Sequence, residues 1–273
     1  MNITYKSNDH VFRAIEEKAK ELVDDFALVE ELDASPKVSD RYQRCRDELS
    51  GQFATTLNFL NEYDDFFSMN ENSQVLNVSA GISASSLALA LTGASVTSLE
   101  FALSYGKVAR VLTEFGRAHL KQKGIFVGNI SFTDSVFTTK IPYPEQSFDL
   151  VFCSNVLEKV KKPSEFIQEL SRITKPGGAI IVRQRFSLAP NILRRDPHYG
   201  LPLVAVLPKS LRKIIGTKLR EENWPMTHAH LRNWISKAPD LQIEKWSAAN
   251  YGRWPVWKSY TAASVISLKK TSR

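Results

Sequence analysis

The chain has 273 residues, of which 43% are hydrophobic and 24% charged, and its formal net charge is +7. This composition is typical of a globular protein and excludes disordered, collagen-like and disulfide-rich chains. The two cysteines, Cys45 and Cys153, are far apart in sequence, so we expect reduced thiols and no metal site. The N-terminal residues have no apolar signal core, and no apolar run reaches the about 20 residues that span a bilayer. These features favour a cytoplasmic protein.

The first 70 residues predict two helices. Apolar residues recur in steps of three and four from Phe12 to Phe26, which places them on one helix face. A second apolar face runs from Tyr42 to Leu60, after the breakers in residues 33–40. We interpret residues 1–70 as an N-terminal helical extension that packs against the rest of the chain and carries no catalysis.

From residue 71 onward, short apolar runs alternate with helical segments. The predicted strands are 74–78, 95–100, 130–134, 148–154 and 179–186. The predicted helices are 85–93, 104–124 and 163–174, and KPGG (175–178) is predicted as a turn. This alternation predicts an α/β fold with a parallel sheet, in which ligands bind at the carboxyl ends of the strands. We expect His119, within the second of these helices, to face solvent.

The end of the chain breaks the alternation. Residues 241–247 and 262–270 predict two strands without a long helix between them, and therefore an antiparallel hairpin that closes the sheet. A pure dinucleotide-binding fold would keep alternating. The predicted organisation is a helical extension, a cofactor-binding core, a substrate-binding insertion or lid, and C-terminal strands that complete the sheet, in residues 1–70, 71–186, 187–240 and 241–273.

Two stretches resemble a known family. VLNVSAGIS (75–83) is an apolar strand that runs into a turn of small residues, and YPEQSFDLVFCSNVLEKVKKPSEFIQELSRITKPGGAIIV (143–182) ends in a Lys-Pro-Gly-Gly turn and an apolar strand. In these motifs and in its order of elements, the chain resembles the class I S-adenosylmethionine-dependent methyltransferases of the small-molecule type. The resemblance covers about residues 74–186. It implies a Rossmann-like, seven-stranded, mostly parallel sheet, with S-adenosyl-L-methionine as cofactor.

Several residues are candidates for cofactor binding. Gly81 lies in the turn after the first predicted strand, where the backbone approaches a ligand closely and a side chain would obstruct it. Glu100 ends the second strand, where a carboxylate accepts hydrogen bonds from ribose hydroxyls. The resemblance implies that Asp134, at the end of the third strand, accepts from the adenine amino group. The other implied contacts are Phe101 packing on the adenine, the backbone N–H of Ser135, and Ser154 and Asn155 at the end of the fourth strand.

Each of these candidates also has a structural alternative. Glu100 is otherwise a surface acid, and Asp134 is otherwise a helix N-cap. Ser154 and Asn155 are otherwise turn formers. Their positions at strand ends favour the binding role for Glu100, while the two roles of Asp134 stay open.

The cofactor turn departs from the family pattern, which reads acid-x-Gly-x-Gly-x-Gly. Asn77, Ser79, Gly81 and Ser83 stand at those four positions, so only the central glycine remains. Asn77 is neutral, and a carboxylate that would orient the charged end of the cofactor is therefore missing. Ser79 and Ser83 add side chains, although these are small and able to donate hydrogen bonds. We expect all four residues to line the cofactor site; the alternative is a degenerate domain that binds or scaffolds a partner.

The family builds its substrate site in the region that corresponds to residues 187–240. Methyl transfer mainly requires that acceptor and methyl group be aligned, and a hydroxyl acceptor also benefits from a general base. DPHYG (196–200) contains His198, our first candidate for that base, and Asp196, the second. The alternative is that DPHYG is only a structured turn.

Basic residues concentrate in residues 185–220, which carry eight basic side chains and one acid, an excess equal to that of the whole chain. Such an excess indicates an acidic partner, although a solvated helix face is equally consistent with it. Leu211, Ile215 and Leu219 lie four apart among these charges. They predict either an amphipathic element in residues 200–220, touching an anionic membrane surface or a lipid-linked substrate, or a lid that packs on the core.

These observations predict an S-adenosylmethionine-dependent methyltransferase that forms an O-methyl group on a sugar, glycan or lipid-like acceptor. A nucleic-acid methyltransferase is the alternative that the basic stretch raises. Against it, the fourth strand ends in CSNV rather than in the Asn/Asp-Pro-Pro-aromatic turn typical of base amino-group methylation. No RNA-binding module is visible in the sequence either.

Overall fold

A computed structural model gives the architecture of the chain. It describes residues 10–25, 46–47, 49–62, 69–78, 81–100, 103–134, 140–184, 207–208, 210–211, 214, 226–248 and 264–271.

Helices and strands alternate through the middle of the chain. The helices of the described ranges are α1 (His10–Asp25), α2 (Gln52–Glu62), α3 (Ala84–Ala90), α4 (Leu103–Gln122), α5 (Pro163–Ile173) and α6 (His228–Ile235). The strands are β1 (Gln74–Val78), β2 (Ser95–Glu100), β3 (Ile130–Asp134), β4 (Phe148–Ser154), β5 (Thr174–Gln184), β6 (Leu241–Ala248) and β7 (Ser264–Lys270).

The strands form one seven-stranded sheet in the order β3-β2-β1-β4-β5-β7-β6. β1 pairs with β2, and β2 with β3, in parallel, whereas β7 is antiparallel to both β5 and β6. The Rossmann-like sheet and its C-terminal antiparallel hairpin are therefore confirmed. Because parallel strands end on the same edge, the register opposes Glu100 and Asp134 at the carboxyl ends of β2 and β3.

The chain divides into two compact units. The first comprises Met1–Thr138 with Phe148–Val151, and the second comprises Thr139–Ser147 with Phe152–Arg273. The first unit contains β1–β3 and α1–α4, and the second contains β5–β7, α5 and α6. The four-part division expected above remains a prediction.

In the first unit, the N-terminal helices pack on the core as predicted. α1 contacts α4, and α2 contacts α3. The rings of Phe12 and Phe53, both almost fully buried, lie 5.3 Å apart. His119 differs from the expectation of a solvent-facing ring, because its Nε2 atom lies 3.0 Å from the carbonyl oxygen of Val11. This contact ties α4 to α1.

In the second unit, the predicted KPGG turn is instead part of a strand. β5 begins at Thr174, directly after α5, and its pairing with β7 begins at Ala179. Gly177 has φ +75°, a left-handed conformation that glycine adopts without strain. Residues 175–178 are therefore the irregular start of β5 rather than a separate connection.

Candidate functional site

The backbone between β1 and α3 is left-handed at two positions. Gly81 has φ +57° and Ser83 has φ +65°. Glycine pays no steric cost there, whereas a side chain costs about 1 to 2 kcal/mol. Ser83 is buried and its Oγ lies 2.7 Å from Oγ of Ser98 on β2, while its carbonyl accepts from the Leu87 N–H. The serine that replaces a family glycine is thus anchored to the next strand.

Asn77 ties the end of β1 to the first turn of α3. Its side chain is buried, and Nδ2 donates to Oγ of Ser85 and to Oγ of Ser86, at 2.8 Å each. Both amide protons are used within the fold, so the amide at this position orders the turn. A carboxylate would instead accept from the same two hydroxyls.

Glu100 lies directly against the cofactor turn. Its side chain is 6% exposed, and its Oε2 atom accepts a hydrogen bond from the Gly81 N–H at 2.5 Å. A buried carboxylate is stable only where hydrogen bonds or positive charge compensate for the loss of water. The structure therefore brings together Glu100, the predicted ribose contact, and Gly81, the predicted point of close backbone approach. The two residues are nineteen positions apart in sequence.

The other predicted cofactor residues of the first unit are less fully described. Asp134 is the last residue of β3, paired in register with Glu100, and its backbone alone is described. Ser79, Phe101 and Ser135 lie outside the described residues, as do the two candidate bases, Asp196 and His198. Their assigned roles stay predictions.

In the second unit, the end of β4 presents Ser154 and Asn155. Asn155 has φ +52°, and its N–H donates to the carbonyl of Arg183 on β5 at 2.8 Å. Among the described residues, its side-chain oxygen Oδ1 is buried without a hydrogen-bond partner. Asn155 thus has the left-handed backbone of a turn former, which was the structural alternative to its binding role. It also carries a buried acceptor that a ligand would satisfy.

Gln52 also lies beside this turn, although the sequence motifs did not indicate it. A Cβ atom built on Gly81 would lie 3.2 Å from both Nε2 and Oε1 of Gln52, and 3.1 Å from Cδ2 of Leu49. Within the described part of the chain, Gln52 Oε1 is buried and has no hydrogen-bond partner. Helix α2 therefore places an amide with an unsatisfied oxygen against the glycine of the cofactor turn. No motif or spacing connects the two positions.

Cys153, on β4, is a buried free cysteine. Burial raises the pKa of the Cys153 thiol to about 12, which keeps it protonated and unreactive. No group of three or more His, Cys, Asp or Glu side chains that could hold a metal ion is found among the residues described. The same residues include no helix that is long and apolar enough to cross a bilayer.

Residues 76–182 match the model of a protein family described as "Methyltransferase domain". The chain is 31% identical over 180 residues to the demethylmenaquinone methyltransferase of Clavibacter sepedonicus, covering 63% of this chain and 66% of that protein. It is 30% identical over 117 residues to the ubiquinone/menaquinone biosynthesis C-methyltransferase UbiE of Hydrogenovibrio crunogenus (strain DSM 25203 / XCL-2), covering 40% and 44%. Each alignment thus spans less than two thirds of the relative's own length.

The solved structures give a likeness of fold. The crystal structure of the [4+2]-cyclase SpnF superposes with a TM-score of 0.54 at 14% identity, covering 80% of this chain and 81% of that one. At this identity the likeness concerns the fold alone, because one fold supports different reactions.

Proposed function

Because the chain belongs to the class I S-adenosylmethionine-dependent methyltransferases, we propose that it transfers a methyl group from S-adenosylmethionine to a small-molecule acceptor. The observation that carries this proposal is the buried contact between Glu100 and the Gly81 N–H. It places an acid at the carboxyl end of β2 beside the turn that follows β1. A carboxylate at that point suits the paired hydroxyls of a ribose.

The residues of the turn fit the adenosyl cofactor. The side of Gly81 that a Cβ would occupy is bordered by Leu49 and Gln52, and buried acceptors lie beside this glycine on Glu100 and Gln52. When bound, S-adenosylmethionine supplies an electrophilic methyl group on its sulfonium. The first unit would contribute alignment: Glu100 would hold the ribose, and Ser83 and Asn77 keep the turn ordered.

For the acceptor, we infer a quinone-type ring methylated at carbon. The names of the two curated relatives support this chemistry, since they are a demethylmenaquinone methyltransferase and a quinone-biosynthesis C-methyltransferase. O-methylation of a sugar, glycan or lipid-like acceptor is the alternative that the sequence favoured. Either acceptor needs a base to take its proton, and His198 and Asp196 remain the candidates.

The acceptor can be identified with a labelled methyl donor. The purified chain is incubated with a reduced demethylated quinone of short side chain, a phospholipid, an oligosaccharide and RNA, each in a separate reaction. We expect label in the quinol alone. A carbon-methylated quinol reoxidises to a quinone in air, whereas an O-methylated one does not, so the product's absorption separates the two reactions. Label confined to RNA or to the oligosaccharide would overturn the quinone assignment.

We also propose that residues 200–220 contact an anionic membrane surface, where a lipid-borne acceptor would be found. Leu211 and Ile214 are 48% and 58% exposed within this basic stretch. Apolar side chains surrounded by basic ones favour anionic interfaces. Co-sedimentation with vesicles of anionic lipid, but not of neutral lipid, is expected. A Leu211→Ser, Ile214→Ser variant should lose it.

A second candidate function is a degenerate methyltransferase domain that binds a partner without turnover. The observation that favours it is the replacement of two turn glycines by serines, one of which, Ser83, is locked to Ser98. Calorimetry with S-adenosylmethionine and S-adenosylhomocysteine decides between the two. If neither ligand binds at millimolar concentration, the methyltransferase proposal fails.

A further inference from the structure

We propose that Gln52 binds the amino-acid end of the cofactor, so that the N-terminal helical extension supplies part of the site. This inference rests on the proposed function, because it assumes that S-adenosylmethionine occupies the turn after β1. It assigns a ligand contact to α2, a helix whose sequence indicates packing alone.

The position of Gln52 is the first argument. Both of its amide atoms lie 3.2 Å from the point where a Cβ on Gly81 would stand, which places the amide directly over the turn. Helix α2 is held there by packing, since Phe53 and Leu57 are fully buried and α2 contacts α3. The amide is therefore fixed beside the cofactor turn rather than swinging in solvent.

The unsatisfied acceptor is the second argument. Gln52 Oε1 is buried without a hydrogen-bond partner within the described residues, and such a group costs free energy unless something fills its bond. A glutamine amide presents an acceptor and a donor side by side. These match the ammonium and the carboxylate at the amino-acid end of the cofactor.

The altered family pattern is the third argument. The acid expected after β1 is replaced by Asn77, and the Asn77 amide donates to Ser85 and Ser86. Position 77 therefore carries a neutral amide in place of the carboxylate that the family has there. An acceptor from α2, on the same turn, takes over part of that task.

The experiment compares two ligands that differ only at the amino-acid end. S-adenosylhomocysteine has that end, and 5′-methylthioadenosine lacks it while keeping the adenosyl group. Calorimetry of Gln52→Leu, which keeps the side-chain volume and removes the amide, should give about ten- to hundredfold weaker binding of S-adenosylhomocysteine, the range for a hydrogen bond to a charged group. The affinity for 5′-methylthioadenosine should stay unchanged. Asn58→Ala, an exposed position on the same helix, is the matched control and should change neither.

Other outcomes separate the competing explanations. Equal weakening of both ligands would show that Gln52 only supports the turn, and would overturn the inference. Gln52→Ala provides the test for a blocking role, because tighter binding of both ligands by this smaller variant would mean that Gln52 obstructs the site. If the unaltered protein fails to bind S-adenosylhomocysteine, the proposed function itself fails, which distinguishes that failure from the failure of the Gln52 assignment.

Discussion

In the first unit, buried polar side chains gather at the carboxyl ends of β1 and β2, whereas in the second unit they close the end of a helix. Asn77, Ser83 and Glu100 are buried around the turn between β1 and α3, and each forms hydrogen bonds within the first unit. In the second unit, Lys270 Nζ donates to the carbonyls of Ser171 and Thr174 at 2.9 Å each. We propose that the buried polar groups of the first unit serve ligand binding, whereas those of the second unit serve stability.

The Lys270 side chain is needed in the second unit because the carbonyls at the end of α5 require hydrogen-bond donors. The last carbonyls of a helix lack partners within the helix, and β5 follows α5 without a connecting loop. The Lys270 side chain, 12% exposed, reaches these carbonyls from β7. The Thr174 hydroxyl donates to the Leu170 carbonyl at 2.7 Å. Lys270 Nζ and the Thr174 hydroxyl thus donate to backbone carbonyls of the protein itself.

The largest expected effect that separates the units is loss of cofactor binding in Glu100→Ala. We propose that the Glu100 carboxylate accepts from two ribose hydroxyls, and its removal should weaken S-adenosylhomocysteine binding at least about a hundredfold, since each charge-assisted hydrogen bond contributes about 1.5 to 3 kcal/mol. Calorimetry measures it. Glu244→Ala, on β6 with a 39% exposed side chain, is the control in the other unit. Similar losses in both variants would contradict the comparison.

The next largest effect is on stability, and it belongs to the second unit. Lys270→Met keeps the apolar stem but removes the two hydrogen bonds to the Ser171 and Thr174 carbonyls, and should lower the free energy of unfolding by about 2 kcal/mol. Urea denaturation measures this change, while S-adenosylhomocysteine affinity should be unaltered. Lys269→Met is the matched control because the Lys269 side chain is 55% exposed. A Lys270 variant with reduced affinity and unchanged stability would reverse the roles of the two units.

The sequence predicted most strands closely because short apolar runs ended at glycine or polar residues, and the bounds of β3 and β4 agree with prediction. The pairing of Gly81 with Glu100 was also within reach, because both follow strands that are neighbours in a parallel sheet. The position of Gln52 was not predictable, because it depends on how α2 docks on the turn. His119 was misjudged for the same reason, since its partner Val11 lies on another helix.

A smaller effect on binding would sharpen the assignment of the turn. Asn77→Asp restores the family's acid, whose carboxylate would accept from Ser85 and Ser86 and attract the cofactor ammonium. We expect S-adenosylhomocysteine to bind up to about tenfold more tightly, with no change for 5′-methylthioadenosine. Asn58→Asp adds the same charge at an exposed position of α2 and is the control. Unchanged or weaker binding by Asn77→Asp would mean that the neutral amide is needed for the order of the turn.

The smallest predicted effect is a pH dependence that belongs to the second unit alone. His228 stacks on Trp246 with ring centroids 5.5 Å apart, and the Arg232 guanidinium lies 5.0 Å from the same ring's centroid. Burial, and then the charge of Arg232, lower the pKa of His228. Since the folded state resists protonation more than the unfolded chain, whose histidine pKa is about 6.5, stability should be full above that pH and fall below it.

Urea titrations between about pH 8 and pH 5 measure this slope. In His228→Gln the acid-side loss of stability should be smaller than in the unaltered protein, because the half-buried imidazole that resists protonation is gone. His230→Gln, an exposed histidine of the same helix, is the matched control. The affinity for S-adenosylhomocysteine should be the same in both variants, because the cofactor residues of the turn lie in the other unit. If both variants changed the slope of stability against pH equally, the pH dependence could not be assigned to the half-buried ring of His228.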